Sequence, residues 1–393
     1  MKPCLPCALL VACSTSFAAV PQWPQFRGPN ASGVAEGDKP PVEFGPGTNE
    51  LWKIEVPAGL SSPCVWGDRI FLTAAADGKM LTLAVNRGDG KILWRQGVTA
   101  DTPKEIHKKN HPAAATPATD GKSVCVYHAT FGLAAYDFDG RELWRKPMPG
   151  LLARNGSGTS PAMVDGRLVL NCDVEEGKSF IAAFEPATGK EYWRTPRAEY
   201  MSGYSTPVGW LQEGRDEIPK EFIEQGMFSG IDRNQDGFLT QKEWDEATAF
   251  LDQADYGIFA LKPSGPGELT TNHVAWKHKK GVASVSSPLF YRGRIYVAQD
   301  GGRVSCFNAK SGGKFFEQER LGAEGEYYAS PIAANGYVYF SSGKGAVTVL
   351  EAGDTFRIKG PNLIGEPIHA TPAIVDDKLY VRTAERLWAF GSK

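Results

Sequence analysis

The chain has 393 residues, with 43 Lys or Arg against 45 Asp or Glu, so its formal charge is −2. This balance excludes the strongly basic surface of a nucleic-acid-binding protein and the acidic run of a solvating tail. Ten Trp and 44 Gly favour many short strands joined by tight turns. At this length we expect a modular chain rather than one simple core.

Residues 1–19 are predicted to form a cleaved export signal. Lys2 supplies a positive charge, an apolar stretch follows, and small residues around Ala18 offer a cleavage site. The alternative is a lipobox that would attach a lipid to Cys13. The apolar stretch is too short for a permanent membrane span. Residues 20–393 are therefore predicted to be periplasmic or extracellular, or alternatively tethered to an outer membrane, with no membrane span.

Three of the seven cysteines lie in or next to this signal. Export permits disulfides, but the other four show no framework spacing. Each lies in an apolar, strand-like run far from the others. We therefore predict buried free thiols at Cys64, Cys125, Cys172 and Cys306.

A Ser/Thr-Pro dipeptide opens a repeat along the mature chain. The dipeptides begin at Ser62, Thr116, Ser160, Thr206, Ser287, Ser330 and Thr371. They recur at roughly 40–55 residues, apart from one interval of about 80. Four β-rich runs separated by Gly or Asp turns follow each one. This pattern predicts an all-β, seven-bladed β-propeller of four-stranded antiparallel sheets, with eight blades as the alternative.

The ends of the chain indicate how the ring closes. The seventh repeat stops after its third strand, residues 386–390, and lacks a fourth. Residues 51–56 resemble a fourth strand such as Ile92-Leu-Trp-Arg95, yet no blade precedes them. Pairing these two segments would complete the last blade and remove the open sheet edges.

Several copies of one motif carry a resemblance to a known family. Ala183–Trp193, Ala135–Trp144 and Val85–Trp94 resemble the tryptophan-docking repeat of exported, quinoprotein-type propellers with pyrroloquinoline-quinone-like repeats. The opening Trp23–Asn30 is similar to the lead-in of such proteins. The resemblance implies that the Trp of strand four packs between blades beside a Gly turn.

For function, the resemblance implies two classes of protein. One is the pyrroloquinoline-quinone (PQQ)-dependent dehydrogenases of alcohols and sugars, and the other is non-catalytic scaffolds such as the lipoprotein that assists outer-membrane β-barrel insertion. The alcohol dehydrogenases are longer and carry a vicinal Cys pair against the quinone, with an Asp base beside a calcium ion. This sequence has no Cys-Cys pair, which disfavours the enzyme.

The long fourth repeat contains a calcium-binding motif. Its twelve-residue loop has the EF-hand spacing, with a Gly at position six for the sharp turn. The predicted ligands are Asp232, Asn234, Asp236, the carbonyl of Phe238, Thr240 and Glu243. Amphipathic segments flank the loop, so residues 219–254 are predicted to be a helix-loop-helix EF-hand insert in blade four. The alternative is an ordinary Asp/Asn/Gly-rich turn. A lone exported loop would bind weakly, with Kd on the order of 10⁻⁴–10⁻³ M, as a clip rather than a switch.

The loops that precede the Ser/Thr-Pro dipeptides form a second candidate site. Propellers commonly bind ligands in the funnel at this end, where groups from different blades converge. The candidate funnel residues are His107, His111, Arg154, Tyr204, Tyr328 and His369. The alternative is a solvated rim. The sequence thus favours an exported non-catalytic scaffold that binds Ca²⁺ and a protein or glycan partner, with a PQQ-dependent oxidoreductase as the alternative.

Overall fold

The computed structural model describes residues 20–99, 107, 110–148, 156, 158–173, 179–196, 206, 257–261, 274–283 and 285–392. Within these residues the secondary structure is β apart from a short 3-10 helix, Pro29–Ala31. Three strands precede the first blade: β1 (Gln22–Trp23), β2 (Val34–Ala35) and β3 (Glu50–Glu55). The all-β prediction is confirmed.

The other strands of the described part form seven successive sheets, numbered here as blades one to seven. Blade one contains β4–β7: Cys64–Trp66, Arg69–Ala76, Lys79–Asn86 and Ile92–Thr99. Blade two contains β8–β11: Ala118–Thr119, Ser123–His128, Gly132–Asp137 and Glu142–Pro147. Blade three contains β12–β15: Ala162–Val164, Arg167–Cys172, Phe180–Phe184 and Glu191–Pro196.

Blade four is described in two strands only, β16 and β17: Ile258–Leu261 and Val274–His278. Blade five contains β18–β21: Leu289–Tyr291, Arg294–Gln299, Arg303–Asn308 and Lys314–Arg320. Blade six contains β22–β25: Ile332–Ala334, Tyr337–Ser341, Ala346–Glu351 and Ile358–Leu363. Blade seven contains β26–β28: Ala373–Val375, Lys378–Arg382 and Arg386–Phe390.

Each blade is covered by its neighbours. Side chains alternate between the two faces of a strand, so Phe71 and Ala84 of blade one pack against Val124 and Tyr136 of blade two. Similar cores join blades two and three, four and five, and five and six. One continuous core joins blades six, seven and one, and this core closes the ring.

The predicted closure of the last blade is confirmed. Strand β3 pairs antiparallel with β28 and becomes the outer strand of blade seven. Arg386 lies opposite Glu55, and Ala389 lies opposite Trp52. The strand covers Glu50–Glu55, one residue earlier than the predicted 51–56.

The tryptophan-docking contact implied by the resemblance is present at four seams of the described part. In each, the indole N–H donates to a backbone carbonyl in the next blade, and the ring lies against a Gly of that blade's turn. The pairs are Trp52 with Arg87 O and Gly90, Trp94 with Phe138 O and Gly140, Trp144 with Pro186 O and Gly189, and Trp276 with Ala309 O and Gly312. Those four glycines have positive φ, which glycine adopts without steric cost.

The N-terminal lead-in fills the central channel, which the sequence did not predict. Strand β1 pairs with the inner strand of blade one, and β2 pairs with the inner strand of blade six. Between them, the carbonyl of Pro24 accepts from the N–H of Thr119 in blade two at 2.8 Å. Gln25 Oε1 accepts from the N–H of Met163 in blade three at 2.6 Å. Trp23 is buried, so the segment is packed inside the ring.

From the channel, the chain runs outward along the seam between blades six and seven. The N–H of Lys39 donates to Asp377 at 2.5 Å. Phe44 packs against Phe390 with a centroid separation of 5.1 Å, and its N–H donates to Asn362 Oδ1 at 2.9 Å. These contacts connect the channel segment to β3.

Two further predictions concern the cysteines and membrane-spanning segments. The four predicted thiols are free and buried, as expected. In the described part, no helix is long and apolar enough to cross a membrane. Residues 1–19, including Cys13, and residues 219–254 lie outside the described residues, so the export signal and the EF-hand insert remain predictions.

Candidate functional site

The Ser/Thr-Pro dipeptides connect the inner strands around the axis. In each bond, the backbone N–H of one Ser or Thr donates to the side-chain hydroxyl of the next dipeptide. The bonds are Ser62 to Thr116 (3.0 Å), Thr116 to Ser160 (2.9 Å), Ser160 to Thr206 (3.1 Å), Ser287 to Ser330 (3.0 Å) and Ser330 to Thr371 (2.9 Å). Proline keeps the preceding residue extended, and the hydroxyl satisfies a buried N–H. The dipeptide therefore holds neighbouring blades at a fixed spacing.

Arg382 joins blade seven to blade one, where the ring closes. It is the last residue of β27 and is fully buried. Its Nη1 donates to the carbonyls of Ser61 at 3.1 Å and Thr73 at 2.8 Å, and also to the Ser61 hydroxyl. The guanidinium therefore holds blade one at this seam through its backbone. Gly59 allows this approach, because a Cβ there would lie 2.4 Å from Nη2 of Arg382.

Burial lowers the pKa of Arg382 to about 9, because a charged group loses solvation inside a protein. The same desolvation lowers the pKa of Arg27 in the channel to about 10. Arg27 Nη2 donates to the carbonyl of Pro288 in blade five at 2.9 Å. No carboxylate pairs with either guanidinium among the described ion pairs. Both guanidinium groups are therefore held by backbone or hydroxyl oxygens in the described part of the chain.

Two of the predicted funnel residues, Tyr328 and His369, lie together at the seam between blades six and seven. Their rings meet edge to face with a centroid separation of 5.5 Å. His369 Nε2 and Glu326 Oε2 approach the same point beside Gly343, at 3.2 and 3.3 Å from an ideal Cβ position on that glycine. All three side chains are half-buried. The cluster offers an imidazole, a phenol and a carboxyl group on one wall of the funnel.

His111 lies in the loop that precedes blade two. Its Nδ1 accepts from the N–H of Ala113 at 3.1 Å. Desolvation, and secondarily the positive charge of Arg382, lower the pKa of His111. The half-buried imidazole therefore favours its neutral form.

Of the remaining candidate residues, His107 alone lies in the described part of the chain. His107 is exposed. Arg154 and Tyr204 lie outside the described residues, as do the predicted calcium ligands Asp232, Asn234, Asp236, Phe238, Thr240 and Glu243. In the part of the chain that is described, no group of three or more His, Cys, Asp or Glu is placed to hold a metal ion.

Sequence reasoning missed three contributors to this region: Arg382, Glu326 and the channel segment around Arg27. A signal for Arg382 existed. It ends the strand run Lys378–Arg382, at a position where blades one and five carry Thr73 and Ala298. A charged residue in such a buried run indicates a special contact. The channel segment occurs once, so a search for repeats could not reveal its place.

These observations define a closed β-propeller of the pyrroloquinoline-quinone-like repeat type, with docked indoles and an N-terminal segment in its central channel. The chain belongs to the family described as outer membrane protein assembly factor BamB, whose pattern matches residues 44–203 and 258–385. The unmatched segment between these ranges contains the whole predicted EF-hand insert. The comparison with curated protein sequences finds no match.

Solved structures of the same architecture are distant in sequence. A europium-containing methanol dehydrogenase superposes with a TM-score of 0.57 at 11% identity, covering 95% of this chain and 98% of that one. A quinohemoprotein alcohol dehydrogenase from Comamonas testosteroni gives 0.56 at 11% identity, covering 94% and 80%. BamB from Moraxella catarrhalis gives 0.41 at 14% identity, covering 86% and 82%. At these identities the likenesses to the two dehydrogenases show the fold alone.

Proposed function

We propose that this protein is an exported, non-catalytic propeller scaffold that binds Ca²⁺ through its predicted EF-hand and a partner protein or glycan through its surface. The filled channel is the observation that carries this proposal. Residues 22–35 contact the inner strands of blades one, two, three, five and six. This segment occupies space that a ligand in the channel would need, and the funnel mouth and outer surface then suit partner binding.

The calcium part of the proposal rests on residues 232–243. Oxygen ligands at the EF-hand spacing wrap one chain segment around one ion. We expect titration calorimetry to give Kd on the order of 10⁻⁴–10⁻³ M and Glu243→Gln to weaken binding at least about tenfold by removing the bidentate ligand. Glu246→Gln, which changes a carboxylate in the same insert outside the ligand set, is the matched control. Equal affinities in all three proteins would remove calcium from the proposal.

A PQQ-dependent oxidoreductase acting on alcohols or sugars is the second candidate, and one observation favours it. Arg27 and Arg382 place two guanidinium groups in the channel region without a described carboxylate partner. Such groups suit a polycarboxylate such as PQQ. The fit is poor, however, because Arg382 is fully buried and already donates to Ser61, Thr73 and Pro57 of blade one. The described residues also contain no group of three or more His, Cys, Asp or Glu that could hold a calcium ion beside the quinone.

Reconstitution separates the two candidates. The purified full chain is incubated with PQQ and Ca²⁺, and dye reduction is followed with alcohols and aldose sugars. The scaffold proposal predicts no saturable quinone binding and no turnover above a heat-denatured control. Saturable quinone binding with turnover that Arg382→Met abolishes would establish the oxidoreductase instead.

A further inference from the structure

The ring closes through residues 56–62, which connect the outer strand of blade seven to the first Ser-Pro dipeptide of blade one. Blade seven holds the start of this closing linker through the backbone. The N–H groups of Val56 and Gly59 donate to the carbonyls of Glu385 and Ala384, at 2.9 and 3.1 Å. The closing linker has no titratable side chain of its own, so any dependence of this seam on pH must come from the groups packed against it.

The loop that precedes blade two holds the closing linker from the other side. We call residues 110–116 the latch loop. The carbonyl of Ala113 accepts from the N–H of Leu60 at 2.9 Å, and the carbonyl of Ala115 accepts from the hydroxyl of Thr73 at 2.7 Å. Both alanines are buried. The latch loop therefore joins blade two to the closing linker and to blade one.

His111 fixes the conformation of the latch loop. Its Nδ1 accepts from the N–H of Ala113 at 3.1 Å, so the neutral imidazole carries its proton on Nε2. The N–H of His111 donates to Asn110 Oδ1 at 2.7 Å. A protonated imidazole has an N–H on both nitrogens and can no longer accept. Protonation therefore breaks the bond to Ala113, the residue whose carbonyl holds Leu60.

The surroundings of His111 oppose a positive charge. Desolvation, and secondarily the charge of Arg382 in blade seven, lower the pKa of His111. The closing linker and the rest of the latch loop contain no titratable side chain, and the blade-one residues packed on Ala113 are Met80 and Val98. These elements thus supply no carboxylate for an imidazolium. The stabilisation by the neutral ring is complete above about pH 6.5 and is lost as the pH falls through the lowered value.

We propose that His111 makes the latch loop a pH-sensitive contact: the neutral imidazole holds the loop on the closing linker, and protonation releases it. Release loosens the ring where blades seven, one and two meet, at the mouth of the funnel, while the other seams stay packed. The inference goes beyond the proposed function, because it requires neither Ca²⁺ nor a partner.

Amide hydrogen exchange of the full chain tests the proposal. Protection factors are compared at about pH 7.5 and about pH 5, a range in which His128, with a pKa of about 4, stays neutral. We expect protection of the Ala113 and Leu60 amides to fall about three- to tenfold, the scale of one hydrogen bond lost. The Ser330 amide, which donates to Thr371 at another seam, should keep its protection. Constant protection at Leu60 would overturn the proposal.

Two substitutions at His111 separate its charge from its hydrogen bond. Asn places an oxygen acceptor near the position of Nδ1 and does not titrate, so His111→Asn should keep the Leu60 amide protected at both pH values. His111→Leu removes the acceptor and should give low protection at both. His107→Ala, which changes an exposed histidine, should behave as the wild type. Retention of the wild-type pH dependence in His111→Asn would overturn the proposal.

A second measurement does not depend on the stability of any variant. NMR of the wild-type chain with ¹³C-labelled histidine follows protonation of the imidazole directly, and the His111 resonance is the one missing in His111→Asn. We expect its midpoint to lie below about 6.5 and to coincide with the loss of Leu60 protection. Titration of His111 without a change at Leu60 would show that the ring does not hold the closing linker, and would overturn the proposal.

Discussion

Substituting Gly189 with Ala tests the tryptophan-docking contact directly. Gly189 has φ of +69° and lies under the Trp144 ring, where a Cβ would approach a ring atom to 2.6 Å. The left-handed conformation costs an Ala residue about 1–2 kcal/mol, and overpacking adds about 1–3 kcal/mol. We therefore expect Gly189→Ala to lower the free energy of unfolding by about 2–5 kcal/mol.

The same blade provides a control that isolates the contact. Gly166, in the turn between β12 and β13, has φ of +70° and no heavy atom within 4 Å of an added Cβ. Gly166→Ala should therefore cost about 1–2 kcal/mol from the backbone alone. Equilibrium urea denaturation followed by circular dichroism measures both variants. In a Trp144→Leu background the two costs should converge, because the indole no longer opposes the methyl group. Equal costs in the wild-type background would refute the docking argument.

Two further predictions concern buried ionisable groups. Burial lowers the pKa of His128 to about 4, and no hydrogen-bond partner for its ring nitrogens is found in the described part of the chain. The unfolded state therefore binds a proton that the folded state does not, and about 3 kcal/mol of stability should be lost as the pH falls from 6.5 to 4. Urea denaturation at several pH values should show a smaller loss of unfolding free energy with falling pH in His128→Leu, and the wild-type loss in the control His107→Ala. An unchanged loss in His128→Leu would contradict this prediction. Burial likewise raises the pKa values of the four thiols, so Ellman's reagent should react with Cys64, Cys125, Cys172 and Cys306 only after unfolding; reaction in the native state would mean that the seams open.

The repeated features of the fold could be predicted from the sequence because each occurs several times. Ser62-Pro63 and its six counterparts mark the inner strands, and Trp94 with Gly140 is one of several copies of the docking pair. A residue that recurs at a fixed interval indicates a position with the same neighbours in every blade. The closing strand β3 could be predicted for the same reason, since its Leu51-Trp52 copies Leu93-Trp94.

The single-copy features could not be predicted in this way. Nothing in the local sequence of Pro24 or Gln25 indicates that five inner strands surround this segment. The acidic partner of the funnel pair, Glu326, lies in one of the loops that precede the Ser/Thr-Pro dipeptides, and the sequences of these loops vary from blade to blade. At the seam between blades five and six, the Phe316 and Phe356 rings meet where four other described seams have an indole beside a Gly. Such a departure from the motif shows its consequence only when both blades are placed side by side.

The N-terminal segment explains why the ring closes once and in one register. Residues 22–35 contact inner strands of five blades, Phe44 packs on blade seven, and β3 completes that blade's sheet. Each contact joins residues far apart in sequence, as Arg382 and Ser61 are, 321 positions apart. Contacts between residues so far apart in sequence are expected to form late, because loop closure must precede them. The channel segment cannot find its partners before the inner strands surround it, and blade seven has no fourth strand before the segment is in place. We therefore expect filling of the channel and closure of the ring to occur in one cooperative step, since a displaced N-terminus would leave an open sheet edge.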